Sequence, residues 1–161
     1  MAKVRKAAGL PDGTLITKGL DKVDYVDVYV VATKAGQSIE DIAQRIFALP
    51  AWIKVALRLR HYLIAKPFGL QTGRFDVAGD DDEKTRTVPV IDKNENEIVM
   101  GSDDKHLYFR LSVLKQEAGE RADVYLSTVV KFNNAWGKVY FAFIRLGHKL
   151  VVRSVLKRVG K

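Results

Sequence analysis

The chain contains no cysteine, which removes disulfides, thiolate metal sites and cysteine nucleophiles together. A cysteine-free chain suits a reducing compartment, and a cytoplasmic location is expected. No G-x-S-x-G elbow, P-loop or G-x-G-x-x-G is present, so the usual frames for a serine nucleophile, a triphosphate or a dinucleotide are missing. No HExxH occurs either, and His61, His106 and His148 sit in separate segments, so neither metal nor cofactor is expected. Asp92, Asn94 and Asn96 imitate the start of a calcium loop. Glu97 takes the place that needs glycine, however, and Asp103 that of the bidentate glutamate, so the segment reads as a hairpin turn. The basic start, Met1-Ala-Lys-Val-Arg-Lys-Ala-Ala, leads into Pro11-Asp12-Gly13 rather than into the apolar stretch of a secretory signal.

Acid is missing from the end of the chain. After Asp123 come Lys131, Lys138, Arg145, Lys149, Arg153, Lys157, Arg158 and Lys161, which together equal the whole net charge of +8. The basic character, with a pI of about 9.7, therefore belongs mostly to one terminal element. The remaining composition, 47% apolar and 29% charged over 161 residues, is that of one folded domain rather than a disordered chain. The expected organisation is a single domain over 1–161, with a lead-in at 1–20 and a compact core at 21–160.

Residues 1–20 show no period and read as a tail or loosely docked lead-in. Asp24 to Thr33 alternates, Val26, Val28 and Val30 against Tyr25, Asp27 and Tyr29, as a half-buried strand does. Ser38 opens a helix with Ile39, Ile42, Ala43, Ile46 and Phe47 as its apolar stripe. Pro50 suits the first turn of a second helix, to about Ala65, with Trp52, Ala56, Leu59 and Leu63 as its expected buried side. After a polar loop at 79–85 the period becomes two. Four runs containing Val88, Ile98, Leu107 and Val124, with turns at 92–96, 101–104 and 116–121, predict an antiparallel meander. Asn134 starts a long helix with Trp136, Tyr140, Phe143, Gly147, Leu150 and Ser154 on one side and Lys138, Arg145, Lys149, Arg153 and Lys157 on another. The fold class is α+β: an antiparallel sheet packed on a long C-terminal helix, with two short helices after the first strand. Val28, Phe109, Leu111, Leu126 and Val130 are expected to meet that helix through Tyr140, Phe143 and Leu150.

Tyr25, Tyr29, Tyr108 and Tyr125 fall on the polar sides of their strands, where bases could stack. Asp27 and Asp123 share those sides and no glycine-aromatic run accompanies them, so cross-strand packing is the expected role and nucleic acid is not an expected partner. Asp104, His106 and Arg110 cluster at one strand's start and read as an ion-paired edge, with acid–base work as the alternative. The basic stripe of the last helix reads as a solvated face, with peripheral contact to an anionic membrane as the minor reading.

Several motifs are familiar in this order: Lys66-Pro-Phe-Gly-Leu-Gln-Thr72, Gly101-Ser-Asp-Asp-Lys-His-Leu-Tyr-Phe-Arg110, Val129-Val-Lys-Phe-Asn-Asn134 with Gly137 and Tyr140, and His148-Lys-Leu-Val-Val-Arg153. Together they resemble the bacterial domain-of-unknown-function family 2867 over roughly residues 10 to 159. Tyr108 departs from that pattern, which has an acidic residue before Phe-Arg. The resemblance implies a helix-grip, START-like fold of the kind found in polyketide cyclases and lipid carriers. Related segments also occur fused behind nucleotide-binding, reductase-like domains.

The leading functional reading is a binding module for a small, largely apolar ligand held between sheet and terminal helix. Trp52, Phe109, Tyr140 and Phe143 would form walls; His106, Arg110, Asn133 and His148 would be polar anchors. A cavity enzyme of cyclase or isomerase type using His106 or Asp104 is the second reading, and a protein whose basic helix meets anionic membrane or an acidic partner is the third. Ligand identity and oligomeric state are not written in the sequence.

Overall fold

The alternating run after the lead-in forms a ten-residue strand one place in from the edge of the sheet. In a computed structural model that describes residues 3–60, 62–63, 66–67 and 88–160, the elements are β1 (Arg5–Lys6), β2 (Tyr25–Lys34), α1 (Ile39–Phe47), α2 (Ala51–Arg60), β3 (Val90–Lys93), β4 (Glu97–Asp103), β5 (Leu107–Ala118), β6 (Arg121–Phe132) and α3 (Ala135–Val159). His61, the 79–85 loop and most of the Lys66–Thr72 motif lie outside the described residues. The strands form one antiparallel sheet in the order β1-β2-β6-β5-β4-β3, so the last strand of the meander returns to lie beside β2. The α+β class with an antiparallel sheet and a long C-terminal helix stands.

Local chemistry explains the boundaries. Ser38 accepts a hydrogen bond from the Asp41 amide at 3.1 Å, capping α1. Pro50, which has no amide to lose, leaves its carbonyl to accept from Ile53 and Lys54 at the start of α2. Asn134 accepts from the Gly137 amide at 3.0 Å and caps α3. β5 and β6 join through a two-residue turn, and Gly119 at its first central position has a φ of 65°, which only glycine adopts freely.

The helices cover one face of the sheet. Tyr29 and Val31 of β2, Val124 and Leu126 of β6, Val113 of β5 and Ile98 and Met100 of β4 join α1 and the second half of α3 in the main core. The β2 face holding Tyr25, Asp27 and Tyr29 therefore looks at the helices, and Val28 looks away from them. Alternation could not reveal this, because Val28 and Tyr29 are both buried: β2 is covered on both sides.

The lead-in supplies the second cover. Rather than a loose tail, it adds β1 to the sheet edge and then crosses the other face, where Ile16 packs on Val99 and Val129 with Leu10, Leu15 and Leu20 around it. Glu97, buried within that face, accepts from Thr14 Oγ1 at 2.5 Å, from the Leu15 amide at 2.8 Å and from Ser112 Oγ. Arg110 Nη1 donates to the carbonyls of Ile16 and Lys18. The ion pairs Lys18–Asp92 and Lys131–Asp21 continue the same seam.

Two helices are turned from their expected orientation. α2 buries Ile53 and half-buries Leu57, while Trp52, Ala56, Leu59 and the following Leu63 are exposed. α3 buries Gly137, Phe141, Val152, Val155, Leu156 and Val159, and Phe143 and Leu150 point to solvent. Both helices carry apolar residues on opposite sides, so the 3.6-residue period fits either side equally. The sheet residues decide which one is buried.

Candidate functional site

Asp27, the third residue of β2, sits on the face that looks at the helices, between Tyr25 and Tyr29. The register places Thr128 of β6 directly beside it. From above, the buried side of α3 lowers His148 onto this pair. His148 Nε2 is 3.1 Å from Thr128 Oγ1 and 3.4 Å from Asp27 Oδ2, and Tyr25 donates its hydroxyl to the same Oδ2 at 2.9 Å. The Asp27 side chain is 1% exposed and that of His148 20%, so the carboxylate is enclosed while the imidazole, like the half-buried Tyr25, meets solvent. Asp27 Oδ1 is buried with no hydrogen-bond partner among the described residues. A buried carboxylate oxygen without a donor is costly, and among the described residues Ser127 Oγ shares that state.

Electrostatics fix the protonation of two members. Burial pushes the Asp27 carboxyl up, but the contact with His148 and the hydroxyls of Tyr25 and Thr128 outweigh it and hold the acid below its ordinary value. Burial, then the hydrogen bond to Asp27, pushes the Tyr25 phenol up, so it stays a donor. The cluster is thus an ionised carboxylate facing an imidazole and a phenol. Its acid has a depressed folded value, so ionised Asp27 stabilises the fold above the unfolded value of about 3.9, and that contribution is lost as pH falls through the folded value. Asp27→Asn should accordingly show a flatter fall of melting temperature below about pH 4 than the parent chain. Parallel acid-unfolding curves would show that Asp27 titrates alike in both states.

An aromatic wall adjoins the cluster. Phe141 stands edge-on to Tyr25 at 4.7 Å and lies 5.7 Å from Phe132. Phe109, Tyr140 and Ile144 pack partly buried around the same group.

Of the residues proposed from sequence, the structure brings together His148, Phe109 and Tyr140 on this side of the sheet. It separates the rest. Trp52 and Phe143 are on outward helix surfaces. His106 and Asn133 belong to a junction at the start of α3: His106 Nδ1 is 3.2 Å from Asn134 Oδ1, and Asn133 Nδ2 donates to Asp103 Oδ1 and to the Asp104 carbonyl. Arg110 lies on the opposite face from Phe109, as strand alternation requires, and is spent on the lead-in. The Asp104–His106–Arg110 group is therefore not assembled into one site. Sequence reasoning missed Tyr25, Asp27 and Thr128. The available signal is an acid set between valines inside a strand, where a solvated carboxylate has no reason to be.

A separate, open concavity lies at the far end of β2, where Lys3, Arg5, Lys34, Arg45 and Arg121 gather with Glu120. Among the described residues no group of three or more histidines and carboxylates is placed to hold a metal ion.

Fold and cluster define an α+β domain whose sheet grips an acid–histidine pair beneath its C-terminal helix. The chain belongs to the family described as "Protein of unknown function (DUF2867)", whose model matches residues 20–155. Comparison with curated proteins finds no match. Among solved structures the chain is similar to CalU16 from Micromonospora echinospora, at 6% identity and a TM-score of 0.38, over 99% of this chain and 81% of that one.

Proposed function

We propose that this protein is a binding module of the helix-grip type for a small, largely apolar molecule that carries one hydrogen-bond donor. The observation behind this reading is the unpartnered Asp27 Oδ1 beside the partly open His148. The Oδ2 atom is already occupied by Tyr25 and His148, so Oδ1 calls for a donor from outside the fold, such as a hydroxyl. Phe141, Phe109 and Tyr140 supply the apolar surround that such ligands need. An ionised aspartate next to an imidazole also suits acid–base catalysis of the isomerase or cyclase type, with His148 and Asp27 replacing His106 and Asp104 in that role.

Native mass spectrometry of the purified chain tests the binding reading. A co-purified small molecule should appear on the parent protein and be absent from His148→Ala and Asp27→Asn at unchanged fold. Parent protein carrying no added mass from any expression host would remove the reading. Turnover of the recovered molecule, lost in His148→Gln while binding persists, would establish the catalytic one.

A further inference from the structure

We infer that the outward sides of α2 and α3 form a docking surface for an anionic lipid bilayer, independently of any ligand beneath α3. On α3 the residues opposite the buried Gly137 and Phe141 are Trp136, Val139, Phe143, Leu146 and Leu150, which recur every three or four positions and are 48–73% exposed. α2 repeats the arrangement. Ile53 is buried, while Trp52, Val55 and Leu59, followed by Tyr62, are 52–65% exposed. The two stripes even begin alike, Trp52-Ile-Lys-Val55 and Trp136-Gly-Lys-Val139, and they hold both tryptophans of the chain. Both helices bury their other sides against the core on the same sheet face, so both stripes look away from that core. Apolar residues aligned in this way mark a contact surface rather than scattered surface hydrophobes.

Charge selects the occupant. Neither helix contains a single acid. At 100° per residue, Lys138, Arg145 and Lys149 fall along one flank of the α3 stripe, and Lys54 and Arg58 fall along the same flank of α2. A second copy of this chain would set cations against cations, which opposes self-pairing. Tryptophan at headgroup depth, an apolar stripe and a basic flank together compose a helix that lies in a bilayer interface. No helix of the described residues is long and apolar enough to cross a membrane, so the contact is in the plane of the surface.

The test uses the full chain and vesicles of phosphatidylcholine with or without phosphatidylserine. At low salt the protein should sediment with the serine-containing vesicles only, with a blue shift of tryptophan emission, and should be released near 1 M salt, where the Debye length falls to about 3 Å. Lys138→Ala with Lys149→Ala should weaken partitioning by about 25-fold, roughly fivefold for each cation near the surface. Phe143→Glu should abolish binding without lowering the melting temperature, because its ring is already in water. Three results would overturn the inference: no binding to serine-containing vesicles at low salt, binding that survives Phe143→Glu, or a dimer of the parent chain that Phe143→Glu dissolves. The last would assign the stripes to a second copy.

Discussion

Gly137→Ala should destabilise the protein by about 3 kcal/mol and lower its melting temperature by about 6–12 °C. Helix propensity argues the other way, since alanine is worth about 1 kcal/mol more than glycine inside a helix. The sign is decided by what lies against the α carbon. A Cβ at position 137 would stand 2.0 Å from the His106 carbonyl oxygen and 2.8 Å from its carbon. That carbonyl has no freedom to move aside, because it accepts from the Asn133 amide at 2.9 Å and Asn133 also holds the Asp103–Asp104 turn. The first turn of α3 would have to lift, loosening Phe141 from Tyr25 and Phe132. Thermal unfolding of the variant gives a direct reading. A melting temperature equal to or above that of the parent would mean that propensity wins and that the close approach is not a constraint.

The same junction shows what the sequence makes legible and what it does not. Ser38, Pro50 and Asn134 mark helix starts through short-range hydrogen bonding, so each is readable from its neighbours alone. The hairpin turns and the antiparallel meander follow from a period of two interrupted at short intervals. Orientation is a different kind of information. α2 and α3 each offer two apolar sides, and the deciding contacts come from the sheet and not from the helix's own neighbours. Trp136 and Phe143 look like core residues by period, yet Phe141 and Val152 take that place. His148 was identifiable as a candidate anchor, but its partners were not, because Asp27 lies on a strand whose two faces are both buried. The acid reads as the polar half of a half-buried strand as long as residues 1–20 are a tail or loosely docked lead-in. Arg110 misleads for the same reason: a guanidinium on a strand is available for a ligand until the lead-in backbone is laid across it.

Docking of that lead-in rests on Glu97, and replacing this residue should have the other large effect. Glu97→Leu should cost about 3–5 kcal/mol, because it leaves the Ser112 hydroxyl and the Leu15 amide without an acceptor, each at about 1–3 kcal/mol, and also releases Thr14. A glutamine cannot repair this. Its single carbonyl oxygen can serve Thr14 and Ser112, but its amide nitrogen would then face the Leu15 N–H, donor against donor. Glu97→Gln should therefore fall between parent and Glu97→Leu. The two variants should also differ from core mutants in where protection is lost. Hydrogen exchange should quicken first at the Leu15 and Ile16 amides, with the β5–β6 ladder following only on global unfolding, since that ladder is bonded along its whole length from Leu107 to Ala118. Chemical denaturation of Glu97→Leu within 1 kcal/mol of the parent, with exchange at residues 14–18 unchanged, would show that Ile16 and its leucine neighbours hold the lead-in without the carboxylate.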